Sequence, residues 1–224
     1  MSADNRHTNN KRALIFDFDG LILDTETAEV EIWTELYSQV GLSFNMDAYM
    51  HLVGANGERG FHPADPISDR PGEERSNDQV RVEHRRLAWE KTLKLQPLEG
   101  VVDLIHSAKT KGYTLAIGSS ANYDWVSTHL KRLGLFEYFD TIVTFDDVEE
   151  AKPAPDIYLK VLEKLNISGD QAIVLEDSYN GVLAARRAGI RAVAVPNPIT
   201  KDQDFSLAES VLDSMRDIDL NNYF

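Results

Sequence analysis

The chain has 224 residues, enough for one sizeable core or a core carrying an inserted subdomain. Its 37 Asp and Glu outweigh 23 Lys and Arg, for a formal net charge of -14, and that field argues against nucleic acid or anionic membrane as a partner. It contains no cysteine, which excludes disulfides and thiolate metal sites.

Residues 1–12 are polar and lack the apolar centre of a signal peptide, and no apolar run reaches membrane-spanning length. The chain therefore reads as soluble and cytoplasmic, and a monomer needs no special assumption. The run Ala13 to Phe16 predicts a buried parallel strand, which breaks into Asp17, Phe18, Asp19 and Gly20. Side chains alternate in an extended segment, so Asp17 and Asp19 point to one side at the strand's carboxyl end. Open α/β sheets place their ligands at that end. Two carboxylates so close favour a cation between them or a proton on one.

Thr25 to Val40 reads as a helix, with Trp33, Leu36, Tyr37 and Val40 on one stripe and Gly41 just past its end. Asn45 predicts the cap of a short helix over 46–53. Gly54 to Asp78 shows almost no apolar periodicity and reads as a long loop, which in a compact domain is functional or mobile. Val80 to Leu95 resumes as a polar helix, and the basic cluster Arg81 to Arg86 reads as its solvated face. Residues 25–97 thus form a helical insertion between residues 1–24 and the remainder, 98–224.

From Leu98 helices and strands alternate. Helices are expected around 101–111, 126–133, 158–165 and 181–188, with strands at 114–118, 141–145, 172–175 and 191–195. A last helix is expected on Ala208, Val211, Leu212 and Met215. The fold class is α/β, a Rossmann-like parallel sheet with helices on both faces and a small inserted helical domain.

Three strands end in complementary polar groups: Asp17 and Asp19, then Ser119 and Ser120, then Glu176 and Asp177. An oxygen-only, carboxylate-rich site suits Mg²⁺, which shares its shell with phosphate. Lys152 stands in a turn framed by Pro153 and Pro155, a compact charge opposite an anionic site. Ser119 and Ser120 precede a helix, where they either bind an anion or merely cap it. Asp24 and Thr25 read as helix-capping and turn chemistry, His106 and His129 as unassigned helix residues, and Asn180 and Gly181 as a turn into a helix.

The set resembles the haloacid dehalogenase superfamily in its phosphotransferring branch, close to the β-phosphoglucomutase-like group that includes sugar-phosphate phosphatases. Asp17-Phe18-Asp19-Gly20, Ser119, Lys152-Pro153-Ala154-Pro155-Asp156 and Glu176-Asp177-Ser178 match its four motifs in order. The resemblance implies Asp17 as nucleophile and Asp19 as acid and base, with Ser119 and Lys152 on the phosphoryl group. It implies Mg²⁺ held by Asp17, the Asp19 carbonyl, Asp177 and Glu176. In its relatives the inserted cap carries a Gly-x-x-Arg substrate loop; here Gly54 to Arg59 keeps an arginine, Arg59, at shifted spacing. The implied activity is a Mg²⁺-dependent phosphatase of a small phosphorylated metabolite. The alternatives are a hexose phosphomutase and a non-catalytic phospholigand-binding protein.

Overall fold

The structure is a computed structural model that describes residues 11–54 and 62–224. Ala13–Phe16 (β1), all four side chains fully buried, runs through the middle of a parallel sheet. The other strands are Thr114–Gly118 (β2), Thr141–Val143 (β3), Ala172–Glu176 (β4), Arg191–Ala194 (β5) and Ser210–Val211 (β6). They lie in the order β3-β2-β1-β4-β5-β6. Helix Val101–Thr110 (α5) precedes β2, Tyr123–Arg132 (α6) follows it, and Asp156–Leu165 (α7) and Tyr179–Arg187 (α8) flank β4.

Alternation along each strand divides the core in two. Leu14, Phe16, Leu115, Ile117, Ile173, Leu175 and Val193 pack with α5 and α6. Ala13, Ile15, Ala116, Val143, Val174, Ala192 and Ala194 pack with α7 and α8 on the other face. Both faces are covered, which is why the strands read as apolar runs rather than alternating patterns. The chain leaves β1 for β2 on one side and returns to β4 on the other. The crevice for a ligand is therefore at the carboxyl ends of β1 and its neighbours.

The insertion between β1 and α5 comprises Thr25–Gln39 (α1), Met46–Met50 (α2), Asp65–Ser68 (α3) and Asn77–Thr92 (α4). Asp24 Oδ1 accepts from the Thr27 amide at 3.1 Å and so starts α1, as its residue type suggests. Ser76 and Gln79 form a reciprocal capping box that starts α4. The four helices bury an apolar cluster of their own, including Trp33, Leu36, Tyr37, Tyr49, Ile67 and Val80. Entry and exit are tied together where the Leu98 amide donates to the Ile22 carbonyl at 2.9 Å.

Three expectations change. Inside the stretch read as loop, Asp65 and Pro66 begin a one-turn helix whose Ile67 is fully buried, and α4 starts at Asn77 rather than Val80. The strand expected over 141–145 stops at Val143, where Phe145–Asp147 turns as a 3-10 helix boxed by Thr144 and Asp147. The last helix does not form. Backbone amides of Glu209 and Leu212 donate to Ala192 and Ala194, so that segment extends the sheet as β6. Among the described residues no helix is long and apolar enough to cross a membrane.

Candidate active site

Asp17 leaves β1 with its amide still on the sheet ladder, donating to Leu175 O at 3.0 Å. Its carboxylate meets Lys152 Nζ, and the same ammonium donates to Glu176 Oε1 at 2.7 Å. All three side chains are buried. Glu176 ends β4 and takes more than the lysine: the Tyr158 hydroxyl donates to Oε1 at 2.5 Å and the Ser178 hydroxyl to Oε2 at 3.2 Å. Lys152 Nζ also sits 4.9 Å from the centre of the Tyr158 ring. Asp177 completes an acidic cluster, since Asp17, Glu176 and Asp177 each offer an oxygen within 4.8 Å of the others.

This cluster is electrostatically unbalanced. Burial pushes Asp17 upward and the charge of Glu176 adds to it, against the pull of Lys152. Burial, then Asp17, does the same to Asp177. Burial alone would lower Lys152, but the carboxylates of Asp17 and Glu176 outweigh it and keep the ammonium charged. One ammonium among three buried carboxylates leaves a site that favours a further cation.

Asp19 stands apart from that cluster. Trp125 Nε1 donates to Asp19 Oδ1 at 2.9 Å, a contact that bridges 106 positions of sequence. Burial pushes Asp19 up to about 6, while hydrogen bonds from Trp125 and Thr25 hold it down. Asp17 and Asp19 both line one cavity, Asp17 against the Lys152 ammonium and Asp19 against the Trp125 indole.

Ser119 is 1 % exposed at the end of β2, its hydroxyl oxygen accepting from the Ala121 amide at 3.0 Å. Neither serine caps α6; Asn122 does, accepting from the Trp125 amide at 2.9 Å. Ser120, read with Ser119 as an anion ligand, spends its hydroxyl donor on the Gly54 carbonyl at 3.0 Å and so holds the insertion against the sheet end. Asn180 Nδ2 reinforces that contact by donating to Val53 O at 2.7 Å. Arg59 lies outside the described residues.

The cavity between sheet end and insertion has a volume of about 540 Å³. Asp17, Asp19, Ser119, Glu26, Trp33 and Tyr49 contribute to its wall, as do Arg81, His84 and Arg85 of α4. The basic cluster read as solvated is thus divided: Arg81 and Arg85 face the cavity, while Arg86 pairs with Glu90 on the outside at 2.6 Å. Periodicity gives α4 a polar face but not the neighbour that face meets.

Four contributors escaped the sequence reading. Tyr158 read only as the start of a helical stripe, and Trp125, just ahead of the helix expected at 126–133, carried no reading. Gly181 read as a turn residue. Asn197 donates to Asp177 Oδ2 at 2.7 Å and to Gly20 O at 3.1 Å, so it orients one cluster carboxylate. Its signal was present: Asn197 lies between Pro196 and Pro198, a frame like the one that drew attention to Lys152.

Glu26, at the start of α1, is 8 % exposed and accepts from the Tyr49 hydroxyl at 3.2 Å. Burial, then the charge of Glu29, pushes its pKa from 4.5 up to about 8. The folded chain therefore prefers the protonated acid. Stability from that preference is complete below about pH 4.5 and is lost as pH rises to about 8. Glu26→Gln is expected to flatten the fall of Tm across that window in metal-free buffer and to raise Tm at its upper end. An unchanged slope would mean that Glu26 ionises without cost.

The model of the haloacid dehalogenase-like hydrolase family matches residues 14–195. YhcW of Bacillus subtilis is 38 % identical over 210 residues, covering 93 % of this chain and 94 % of its own. The phosphorylated carbohydrates phosphatase of Thermotoga maritima is 33 % identical over 182 residues, covering 81 % and 83 %. Among solved structures, a variant of CbbY from Rhodobacter sphaeroides in complex with xylulose-(1,5)bisphosphate superposes with a TM-score of 0.77 at 26 % identity, covering 95 % and 99 %.

Proposed function

We propose that this chain, which belongs to the haloacid dehalogenase-like hydrolases, is a Mg²⁺-dependent phosphatase that hydrolyses a small phosphomonoester through an aspartyl-phosphate intermediate. The observation that carries the reading is the pairing of two unlike carboxylates in one cavity. Asp17 is bound to a buried ammonium, and Asp19 is held by neutral donors.

In this mechanism an Asp17 oxygen bonds to phosphorus as the ester P–O bond breaks. The bonding pair stays on the leaving oxygen, which takes the proton of Asp19. Asp19 then removes a proton from water as the water oxygen attacks phosphorus, releasing phosphate and restoring Asp17. Lys152 and Ser119 hold the phosphoryl oxygens, and residues 25–97 act as a cap over them. Transfer of this kind depends chiefly on positioning and charge neutralisation.

The donor set fits a divalent cation. Three buried carboxylates face one ammonium, and hard oxygen donors at this spacing suit Mg²⁺. Asp17, Asp177, Glu176 and the main-chain carbonyl of Asp19 would hold it. When bound, it supplies charge neutralisation at the cluster and at the phosphoryl oxygens. Arg81 and Arg85 add positive charge on the insertion side, which suits an anionic ester. The Thermotoga relative is named for phosphorylated carbohydrates, and we extend that substrate class to this chain.

A hexose phosphomutase would use the same carboxylates, and the docking of the insertion through Ser120 and Asn180 is the observation that favours it. Phosphorus NMR of a panel including β-glucose 1-phosphate and xylulose 1,5-bisphosphate, with and without Mg²⁺, separates the readings. Mg²⁺-dependent growth of inorganic phosphate is expected. Transfer to another hydroxyl without free phosphate would make the protein a mutase. No turnover across the panel would favour a binding protein.

A further inference from the structure

Trp125 occupies the first turn of α6, and its ring belongs to two cores at once. It packs against the α5 and α6 side of the sheet and also against the cluster inside the insertion. Trp89 of α4 meets it edge-on with centroids 4.9 Å apart, and His129, one turn further along α6, lies at 4.7 Å and 75°. Trp89 and His129 stack on each other at 5.3 Å and 19°. The indole is thus walled by one residue from each unit.

His129 is not the donor to Asp19. The Thr92 hydroxyl donates to Ala88 O at 2.6 Å, so it accepts from His129 Nε2 at 3.3 Å. Arg132 donates to His129 Nδ1 at 3.2 Å. Both ring nitrogens are engaged in a neutral imidazole that serves as a wall. The donor that meets the Asp19 carboxylate is the Trp125 indole, while the Thr25 hydroxyl accepts from the Gly20 amide at 2.9 Å. An indole N–H can only donate, so it fixes one oxygen, Oδ1, and leaves the other to carry a proton.

We propose that Trp125 is a positioning residue that aims the Asp19 carboxyl for proton transfer, and that the docked insertion sets this aim by clamping the indole between Trp89 and His129. The inference rests on the reading of Asp19 as acid and base. Without the bond the carboxyl rotates about its side-chain torsions, and misplacement of about 1 Å costs on the order of a hundredfold in rate.

The test compares kcat/KM for p-nitrophenyl phosphate and phenyl phosphate in wild type, Trp125→Phe and Asp19→Asn. This constant covers steps through formation of the phosphoenzyme, where only the acid role of Asp19 operates. Nitrophenolate leaves without a proton far more readily than phenolate. The loss in Trp125→Phe is expected to be about tenfold or more greater for phenyl phosphate than for p-nitrophenyl phosphate. Asp19→Asn is expected to show the same skew more strongly. Equal losses on both esters in Trp125→Phe, with the skew present in Asp19→Asn, would overturn the positioning role alone. Absence of the skew in Asp19→Asn would remove the acid reading and the inference with it. A substrate-free measurement stands beside these: the Trp125 indole N–H resonance should move on Asp19→Ala, and a stationary peak would overturn the inference even if Trp125→Phe folds poorly.

Discussion

Asp17→Asn is expected to lower kcat by about three orders of magnitude or more while leaving the fold intact. The asparagine keeps the shape of the side chain and an oxygen for Lys152, but an amide does not form the acyl phosphate. The stability outcome has the opposite sign from most active-site losses. Asp17 is buried beside Glu176 and Asp177, and burial with the charge of Glu176 disfavours its ionised form. Removing that charge relieves the cluster, so Tm in metal-free buffer should be equal to or above that of wild type. Mg²⁺ should raise the Tm of wild type more than that of the variant, because the variant lacks one anionic ligand. In wild type, quenching during turnover should place one phosphoryl group on Asp17 by mass spectrometry. Normal turnover by Asp17→Asn, or a phosphoryl group on another residue, would remove Asp17 as the nucleophile.

The carboxylates of that cluster and Ser119 were legible for one reason: each stands at or just past the carboxyl end of a strand, whereas Lys152 showed through its proline frame. A parallel strand buried on both faces is an apolar run, and a polar residue at its carboxyl end interrupts the run in plain view, as at Asp17, Ser119 and Glu176. Strands that share a direction bring such ends to one edge, so convergence follows from the fold class. What the sequence hides is the partner of each helical side chain. Tyr158 marks a helical stripe and Trp125 stands just ahead of one, and periodicity carries no information on which atom an indole or phenol reaches. Arg81 and Arg85 read as solvated because the seating of α4 over the sheet end is a tertiary fact. The missed final helix is a different failure. Ala208, Val211, Leu212 and Met215 have helical spacing, but the open edge of β5 offers Ala192 O and Ala194 O to the chain, and pairing there wins over a short stripe.

Gly181→Ala sets local propensity against tertiary packing most sharply. Gly181 lies in the first turn of α8, where exchange of glycine for alanine favours the helix by up to about 1 kcal/mol. A Cβ at that position would lie 1.8 Å from Glu176 Oε1 and 1.9 Å from its carboxyl carbon. The side chain that must move is fully buried and is the shared acceptor of Lys152, Tyr158 and Ser178. Displacing it leaves Lys152 with Asp17 alone and breaks a buried pair, which costs about 3–5 kcal/mol. The tertiary cost wins, for a net loss of about 2–4 kcal/mol, or a fall in Tm of roughly 5–15 °C in a chain of this size. Turnover should fall as well, since the ammonium no longer has its second carboxylate to hold it at the nucleophile. A rise in Tm with turnover intact would mean that helix propensity governs the position and that Glu176 has another place to go.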